Sequence, residues 1–279
     1  MTAEDAKNGR EERKEDPNSA NRGSGRSSTA NAQIGYFMLV SKRGSRFLWT
    51  AVIFLVAIGV AAVTRRTLVL FWPVQFAGGK NSPAAGLDAG FARQMALTLV
   101  HILPGGLFLA LAPLQFMPSI RQRHLQFHRW SGRVLMVCGL IIGISALIMS
   151  YTMNIGGPNE TAATTLFAIV FLICLVKAYL HIRRKEVERH REWMIRAFGV
   201  GLGVATTRPI VGMFFAFRRL TPHEFFGIAF WLGFTITVIA AEAWVDYTRQ
   251  RMVVRGDFPN SVSAEGSLAA DGPQRLEPS

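Results

Sequence analysis

The chain has 279 residues, of which half are hydrophobic and only 18% are charged, well below the roughly 25% charged residues of soluble domains. The charges gather towards the two ends of the chain and in short loops, and apolar stretches lie between them. A bilayer core needs about 20 apolar residues per helix. The composition therefore excludes an ordinary soluble domain and predicts an all-α integral membrane protein.

The formal net charge of +13 would suggest a nucleic-acid partner in a soluble protein. Here the Lys and Arg residues flank the apolar stretches, which membrane topology alone explains. We therefore expect no nucleic-acid partner. Cys138 and Cys174, the two cysteines, both lie inside apolar stretches and have the spacing of neither a disulfide framework nor a zinc site.

The chain order predicts three parts. Residues 1–46 are polar and charged and cannot bury enough apolar surface to fold alone, so they predict a disordered tail, and residues 254–279 predict a second one. Between them, residues 47–253 form a transmembrane domain with a six-helix bundle. Its six apolar runs are residues 47–63, 92–117, 131–152, 161–182, 197–217 and 225–246.

Two further features refine this domain. Residues 67–76 are apolar but short and are interrupted by Pro73, so we interpret them as an interfacial segment outside the membrane. Small residues recur four apart, as at Gly139 and Gly143, which predicts close helix packing.

The distribution of cations predicts the orientation. Of the 31 Lys and Arg residues, 23 fall on one side of the six predicted spans and six on the other. Cytoplasmic loops carry the excess of positive charge. We therefore predict a multi-pass protein of the bacterial inner membrane, with both termini in the cytoplasm and with anionic phospholipid as a partner at that face.

Two ionisable residues lie deep inside predicted spans. His101 and Arg208 are each nine residues from the outer end of their span, which is roughly 14 Å at the rise of an α-helix. Intramembrane ionisable groups are costly and mark candidate functional sites. The alternative interpretation is a neutral packing histidine and an arginine that bonds loose carbonyls near Pro209.

The cytoplasmic loops 118–133 and 183–196 bring four histidines to one membrane level. They are His124, His128, His181 and His190. Imidazole is a common metal ligand, but the arginines of both loops would repel a bare divalent cation. We therefore predict no metal-ion site, and we expect an anionic group such as haem propionates, phospholipid phosphates or a nucleotide.

The two loops also resemble each other. His128-Arg129-Trp130-Ser131-Gly132-Arg133 precedes the third span, and His190-Arg191-Glu192-Trp193-Met194-Ile195-Arg196 precedes the fifth. Each has His-Arg, then Trp, then Arg. The pattern is typical of a weak internal repeat of two helical hairpins, although Trp residues also serve as interfacial anchors.

These residues, taken in chain order, form a signature. It consists of His101-Ile-Leu-Pro-Gly105-Gly106, Gln115-Phe116, Arg121, the two loop motifs and Ala205-Thr206-Thr207-Arg208. The signature resembles that of the bacterial predicted-membrane-protein family filed as domain of unknown function 2306, over residues 92–215. The resemblance implies a helical membrane domain with recurring His and Arg positions. His124, His181 and His223 do not map onto the pattern.

Three functions fit this sequence. The first is a redox protein that binds b-type haem or quinone between helices. The second is a transporter for small molecules or ions, and the third is a lipid-interacting accessory membrane protein. The candidate cofactor-binding residues are His101, His128, His190, Arg133, Arg196 and Arg208. The sequence contains no hydrolase, kinase or thiol-redox motif, so it defines no reaction and no catalytic residue, and it leaves the oligomeric state open.

Overall fold

The computed structural model describes residues 19–76, 85–153, 155–217 and 221–255. Within these ranges the secondary structure is entirely α-helical, which confirms the predicted fold class. The elements are α1 (Ser19–Phe71), α2 (Pro73–Phe76), α3 (Ala85–Arg93), α4 (Met95–Phe116), α5 (Pro118–Arg123), α6 (Leu125–Thr152), α7 (Gly157–Arg183), α8 (Val187–Phe217) and α9 (Pro222–Arg255). Six of these helices are long and apolar enough to cross a membrane, as the sequence predicts.

The first spanning helix continues beyond residue 63, where the sequence predicts that the span ends. Its apolar stretch covers Arg46–Phe71, so residues 67–71 belong to the helix rather than to an interfacial segment. Arg65 and Arg66 interrupt the apolar run but not the helix, because their charges are paired with Asp88. The helix ends just before Trp72, where Pro73 begins the short helix α2.

The predicted tails fall partly outside the described residues. Residues 1–18 and 256–279 lie beyond them, while residues 19–46 form the first part of α1. The chain divides into two units, residues 1–53 and residues 54–279. In its described part the first unit is helix alone, and the second unit holds the bundle that is discussed below.

Four helices of the second unit form a closed ring. Helix α4 packs on α6, α6 on α7, α7 on α8, and α8 touches α4 again, while α9 packs on α7 and α8. This order places α6 and α8 at opposite corners of the ring. In its interior Phe108 of α4 meets Phe171 of α7 edge to face, with ring centroids 5.7 Å apart.

Small residues set the spacing of these helices, as the sequence predicts. A Cβ atom built on Gly139 would lie 2.6 Å from Leu175 Cδ1, and one on Gly199 would lie 2.6 Å from Ala241 Cβ. Dispersion contacts between closely packed backbones stabilise helix pairs in lipid, where the hydrophobic effect between helices is absent. The α6–α7 and α8–α9 pairs therefore depend on the lack of a side chain at these glycines.

The two ends of the bundle differ in charge. We call the end that holds residues 117–133 and 181–196 the basic end, and the end that holds α3 and the α6–α7 connection the opposite end. At the basic end α5 begins with Pro118 in its first turn, a position where proline costs no hydrogen bond. The α7–α8 connection turns through Lys185, whose φ of 62° lies in the left-handed region.

Replacing Gly139 by valine should destabilise the α6–α7 pair. The added side chain must displace Leu175, and overpacking of this kind costs about 1–3 kcal/mol. Reversible unfolding of the detergent-solubilised protein measures the change. Gly90→Ala is the control, because nothing lies within 4 Å of its added Cβ and alanine favours a helix by up to about 1 kcal/mol. Equal stability of the Gly139→Val protein and the wild type would contradict this packing.

Candidate functional site

His190 lies in the first turns of α8 with its tautomer fixed by the neighbouring helix. Its Nδ1 is 2.8 Å from the carbonyl oxygen of Ala178 in α7. A carbonyl can only accept a hydrogen bond, so Nδ1 carries the hydrogen and Nε2 keeps a lone pair. The contact also fixes the orientation of the imidazole ring. In the neutral form of His190, Nε2 is therefore the nitrogen available as a ligand.

His128 lies at the same end, one turn into α6, and is not satisfied by the protein. Its Nδ1 is buried and has no hydrogen-bond partner among the residues that the structure describes. Buried polar atoms without a partner are rare and costly in native proteins. His190 lies close enough to act on His128 electrostatically. The structure therefore places these two predicted residues at the same end of the bundle, on helices at opposite corners of the ring.

The arginines around His128 differ in their pairing. Arg121 and Arg129 both act on His128 electrostatically, and neither forms an ion pair within the described ranges. Arg133 lies 6.0 Å from the ring of Trp130 and likewise has no acidic partner there. None of these three arginines therefore has an acidic partner among the described residues.

Arg196 differs from these three because α9 neutralises it. Its Nε lies 2.7 Å from Glu242 Oε1 and its NH2 lies 2.9 Å from Glu242 Oε2, and Glu192 lies at 3.8 Å. This fork-to-fork pairing is strong and directional. Sequence reasoning identified Arg196 but missed Glu242, which lies 46 residues away and carries no motif.

The two remaining histidines of the basic end differ in their surroundings, and one of them, His181, acts on His190 electrostatically. His181 Nδ1 lies 2.6 Å from Glu186 Oε2. This hydrogen bond, together with nearby arginines, holds the pKa of the Glu186 carboxyl below its usual range. His124 is exposed in the α5–α6 connection. Among the described residues no group of three or more His, Cys, Asp or Glu side chains is placed to hold a metal ion.

Two motif residues, Gln115 of α4 and Ser131 of α6, connect their helices next to His128. Gln115 Nε2 donates to Ser131 Oγ at 2.7 Å, and Ser131 Oγ donates to the carbonyl oxygen of Phe127 at 2.5 Å. This chain ties the end of α4 to the first turns of α6. It therefore fixes the segment of α6 that carries His128.

His101 lies in the other half of the bundle and is hydrogen-bonded to α6. Its Nδ1 is 3.0 Å from Ser145 Oγ, and Ser145 Oγ donates its hydrogen to the carbonyl oxygen of Ile141 at 2.6 Å. The serine oxygen must then accept from the imidazole, so Nδ1 carries the hydrogen and Nε2 a lone pair. Sequence reasoning missed Ser145, a polar residue within an apolar run.

Arg208 of α8 has no hydrogen bond or ion pair within the described part of the chain, and its side chain is exposed in the protein. It acts on His101 electrostatically, as Arg66 acts on Arg208. A charged residue at the centre of a membrane helix costs about 3 kcal/mol on insertion scales. The six predicted site residues therefore do not form one site but lie in two separate groups.

The architecture defines the class of protein: a helical membrane protein with six candidate spans and an arginine-rich end. A family model described as "Predicted membrane protein (DUF2306)" matches residues 98–245, and the chain belongs to this family. The match covers His101, both loop motifs and Arg208. No curated protein and no solved structure matches the chain.

The Arg196–Glu242 pair should show measurable coupling between α8 and α9. Glu242→Gln and Arg196→Gln should each lower the free energy of unfolding, and the double variant should lose less than their sum, by on the order of 1 kcal/mol. Unfolding of the four proteins in detergent gives the coupling energy. The control cycle removes Arg191 and Glu188, a pair 3.9 Å apart whose carboxylate is largely exposed, and should give almost none. Strict additivity at Arg196 and Glu242 would refute the pair.

Proposed function

We propose that this protein is a membrane redox protein in which His128 and His190 would hold one b-type haem at the basic end. The observation that carries the proposal is the imidazole of His128, whose buried Nδ1 has no hydrogen-bond partner among the described residues. His190 acts on it electrostatically, and the hydrogen bond to Ala178 leaves Nε2 of a neutral His190 free to ligate. A neutral imidazole from each of two helices is a standard ligand set for haem iron.

The hydrogen bond from His190 to the carbonyl of Ala178 is of the kind that orients metal-binding histidines. Ligating histidines usually donate their other ring N–H to a carbonyl or carboxylate, which orients the ring and raises its basicity. In His190 the ring Nδ1–H donates to the carbonyl oxygen of Ala178. This contact orients the side chain for coordination.

The helix order fits a flat cofactor. In helix bundles a cofactor lies in the core between side chains of facing helices. Helices α6 and α8 stand at opposite corners of the ring, so His128 and His190 come from facing helices and would hold the group between them.

The charges fit the edge of the cofactor. Haem carries two propionates, and Arg121 and Arg129 act on His128 while Arg133 has no acidic partner in the described ranges. Arginine pairs well with carboxylates. Arg196 is already bound by Glu242, so we assign the propionates to the other three arginines. Bound there, the haem supplies one-electron chemistry.

The residues of the basic end also suggest which side of the membrane this end faces. Trp130 is 62% exposed beside Arg129 and Arg133, and amphipathic aromatic rings favour the membrane–water interface. We propose that the basic end faces the cytoplasm of a cell whose inner membrane holds the protein. Anionic phospholipid would then contact the arginines that the haem leaves free.

Absorption spectra of the full-length protein, purified from cells supplied with a haem precursor, test this function. We expect a Soret band in the oxidised protein and sharp bands after dithionite reduction. His128→Ala and His190→Ala should each abolish these bands, because each removes an iron ligand. His124→Ala, an exposed neighbour of His128, should leave them unchanged.

Circular dichroism and gel filtration check that each alanine variant is folded. A featureless spectrum of the wild-type protein would refute the proposal. So would a folded His128→Ala, His190→Ala double variant that keeps its full haem content.

A further inference from the structure

We propose that Arg208 and His101 form a second binding site, in the half of the bundle away from the basic end. The site takes an oxoanion that also carries a hydroxyl group, such as a hydroxycarboxylate or a protonated phosphate. The inference concerns other residues than the haem proposal and does not depend on it.

Three helices meet at the base of this site. A Cβ built on Gly59 of α1 would lie 2.6 Å from Leu109 Cδ1 of α4 and 3.4 Å from Ala205 Cβ of α8. About one helical turn further towards the opposite end, a Cβ built on Gly106 of α4 would lie 3.1 Å from Val63 Cγ1 of α1. These contacts close the space between α1, α4 and α8 on the side towards the basic end.

The ionisable side chains lie beyond these contacts, towards the opposite end. Arg66 follows Gly59 along α1, His101 precedes Leu109 along α4, and Arg208 follows Ala205 along α8. Because α4 runs antiparallel to α1 and α8, all three side chains lie on the same side of the glycine contacts, towards the opposite end. The electrostatic interactions of Arg208 with His101 and with Arg66 agree with this placement.

Arg66 and Arg208 differ in their pairing among the described residues. Asp88 is buried against Arg65 and Arg66, so that carboxylate is fully engaged. Arg208 has no such partner within the described ranges, although it lies in an apolar span. A guanidinium offers paired donors that match the oxygens of a carboxylate or phosphate, so Arg208 supplies the charge that an oxoanion needs.

His101 requires the ligand to carry a hydrogen-bond donor as well as a negative charge. Its Nδ1 hydrogen is committed to Ser145, so Nε2 accepts a hydrogen bond and does not donate one. A fully deprotonated anion has no hydrogen to offer this nitrogen, whereas an anion with a hydroxyl group does. A ligand that satisfies both Arg208 and His101 therefore combines a negative oxygen with an O–H donor.

The helix faces beside these residues leave space. Gly105 lies four residues after His101 and Gly212 four residues after Arg208, on the same faces of α4 and α8. A Cβ added at either glycine would meet nothing within 4 Å. The exposed side chain of Arg208 is accordingly open to a small ligand.

Two matched pairs of anions test the site in the full-length protein, reconstituted in phosphatidylcholine nanodiscs. Lactate and propionate differ by one hydroxyl group, and at pH 6 phosphate carries a hydroxyl group that sulfate lacks. Thermal unfolding over a concentration series gives apparent dissociation constants. We expect lactate to bind about tenfold more tightly than propionate, and phosphate more tightly than sulfate, because each unmatched anion leaves His101 Nε2 without its hydrogen bond.

Variants assign the effect to residues. Arg208→Gln should abolish the response to all four anions, and Arg208→Lys should keep part of it. His101→Ala should bring lactate and propionate to within about twofold of each other. Arg93→Gln is the control, since Arg93 lies exposed at the same end but outside the site, and its response should equal that of the wild type.

A further experiment distinguishes a lipid headgroup from a free anion as the ligand. In phosphatidylglycerol nanodiscs, whose headgroup joins a phosphate to hydroxyl groups, stabilisation that needs Arg208 and no added anion would identify the lipid as the ligand. The absence of any Arg208-dependent response, in either lipid, would overturn the site. Equal affinities for lactate and propionate in the wild type would overturn the role of His101. Neither result affects the spectral test of haem binding.

Discussion

The interior of a bilayer contains no water, so each charged or polar group on a spanning helix must find its partner within the protein. Most such groups here do. Arg196 is paired with Glu242, and Arg65 and Arg66 are paired with Asp88. These pairs fix α8 against α9 and the first span against α3. Small residues set the close apolar contacts between other helices.

Two groups depart from this rule, and both proposals rest on them. His128 keeps a buried nitrogen without a partner, and Arg208 keeps its charge without a counter-ion in the described part of the chain. Unsatisfied groups of this kind cost free energy that folding alone does not recover. A ligand that satisfies each group explains why the fold tolerates it. The two groups lie in different halves of the bundle and call for different ligands.

The sequence predicts the fold well, because hydropathy reports directly on transfer into a bilayer. It misplaces the end of the first span, since Arg65 and Arg66 look like a boundary until Asp88 is seen to neutralise them. It identifies the site residues by type but not their grouping. The partners Ser145, Glu242 and the carbonyl of Ala178 carry no local signal, because they become neighbours only when separate helices pack.

The central claim is that one haem iron is held by imidazoles from α6 and α8. Electron paramagnetic resonance of the frozen, oxidised protein tests it most directly, because iron with two strong axial ligands is low-spin and iron that has lost one becomes high-spin. The account predicts a low-spin ferric signal in the wild-type protein that His190→Ala converts to a high-spin signal or removes. A high-spin signal in the wild type, or a low-spin signal unchanged in His190→Ala, would contradict it.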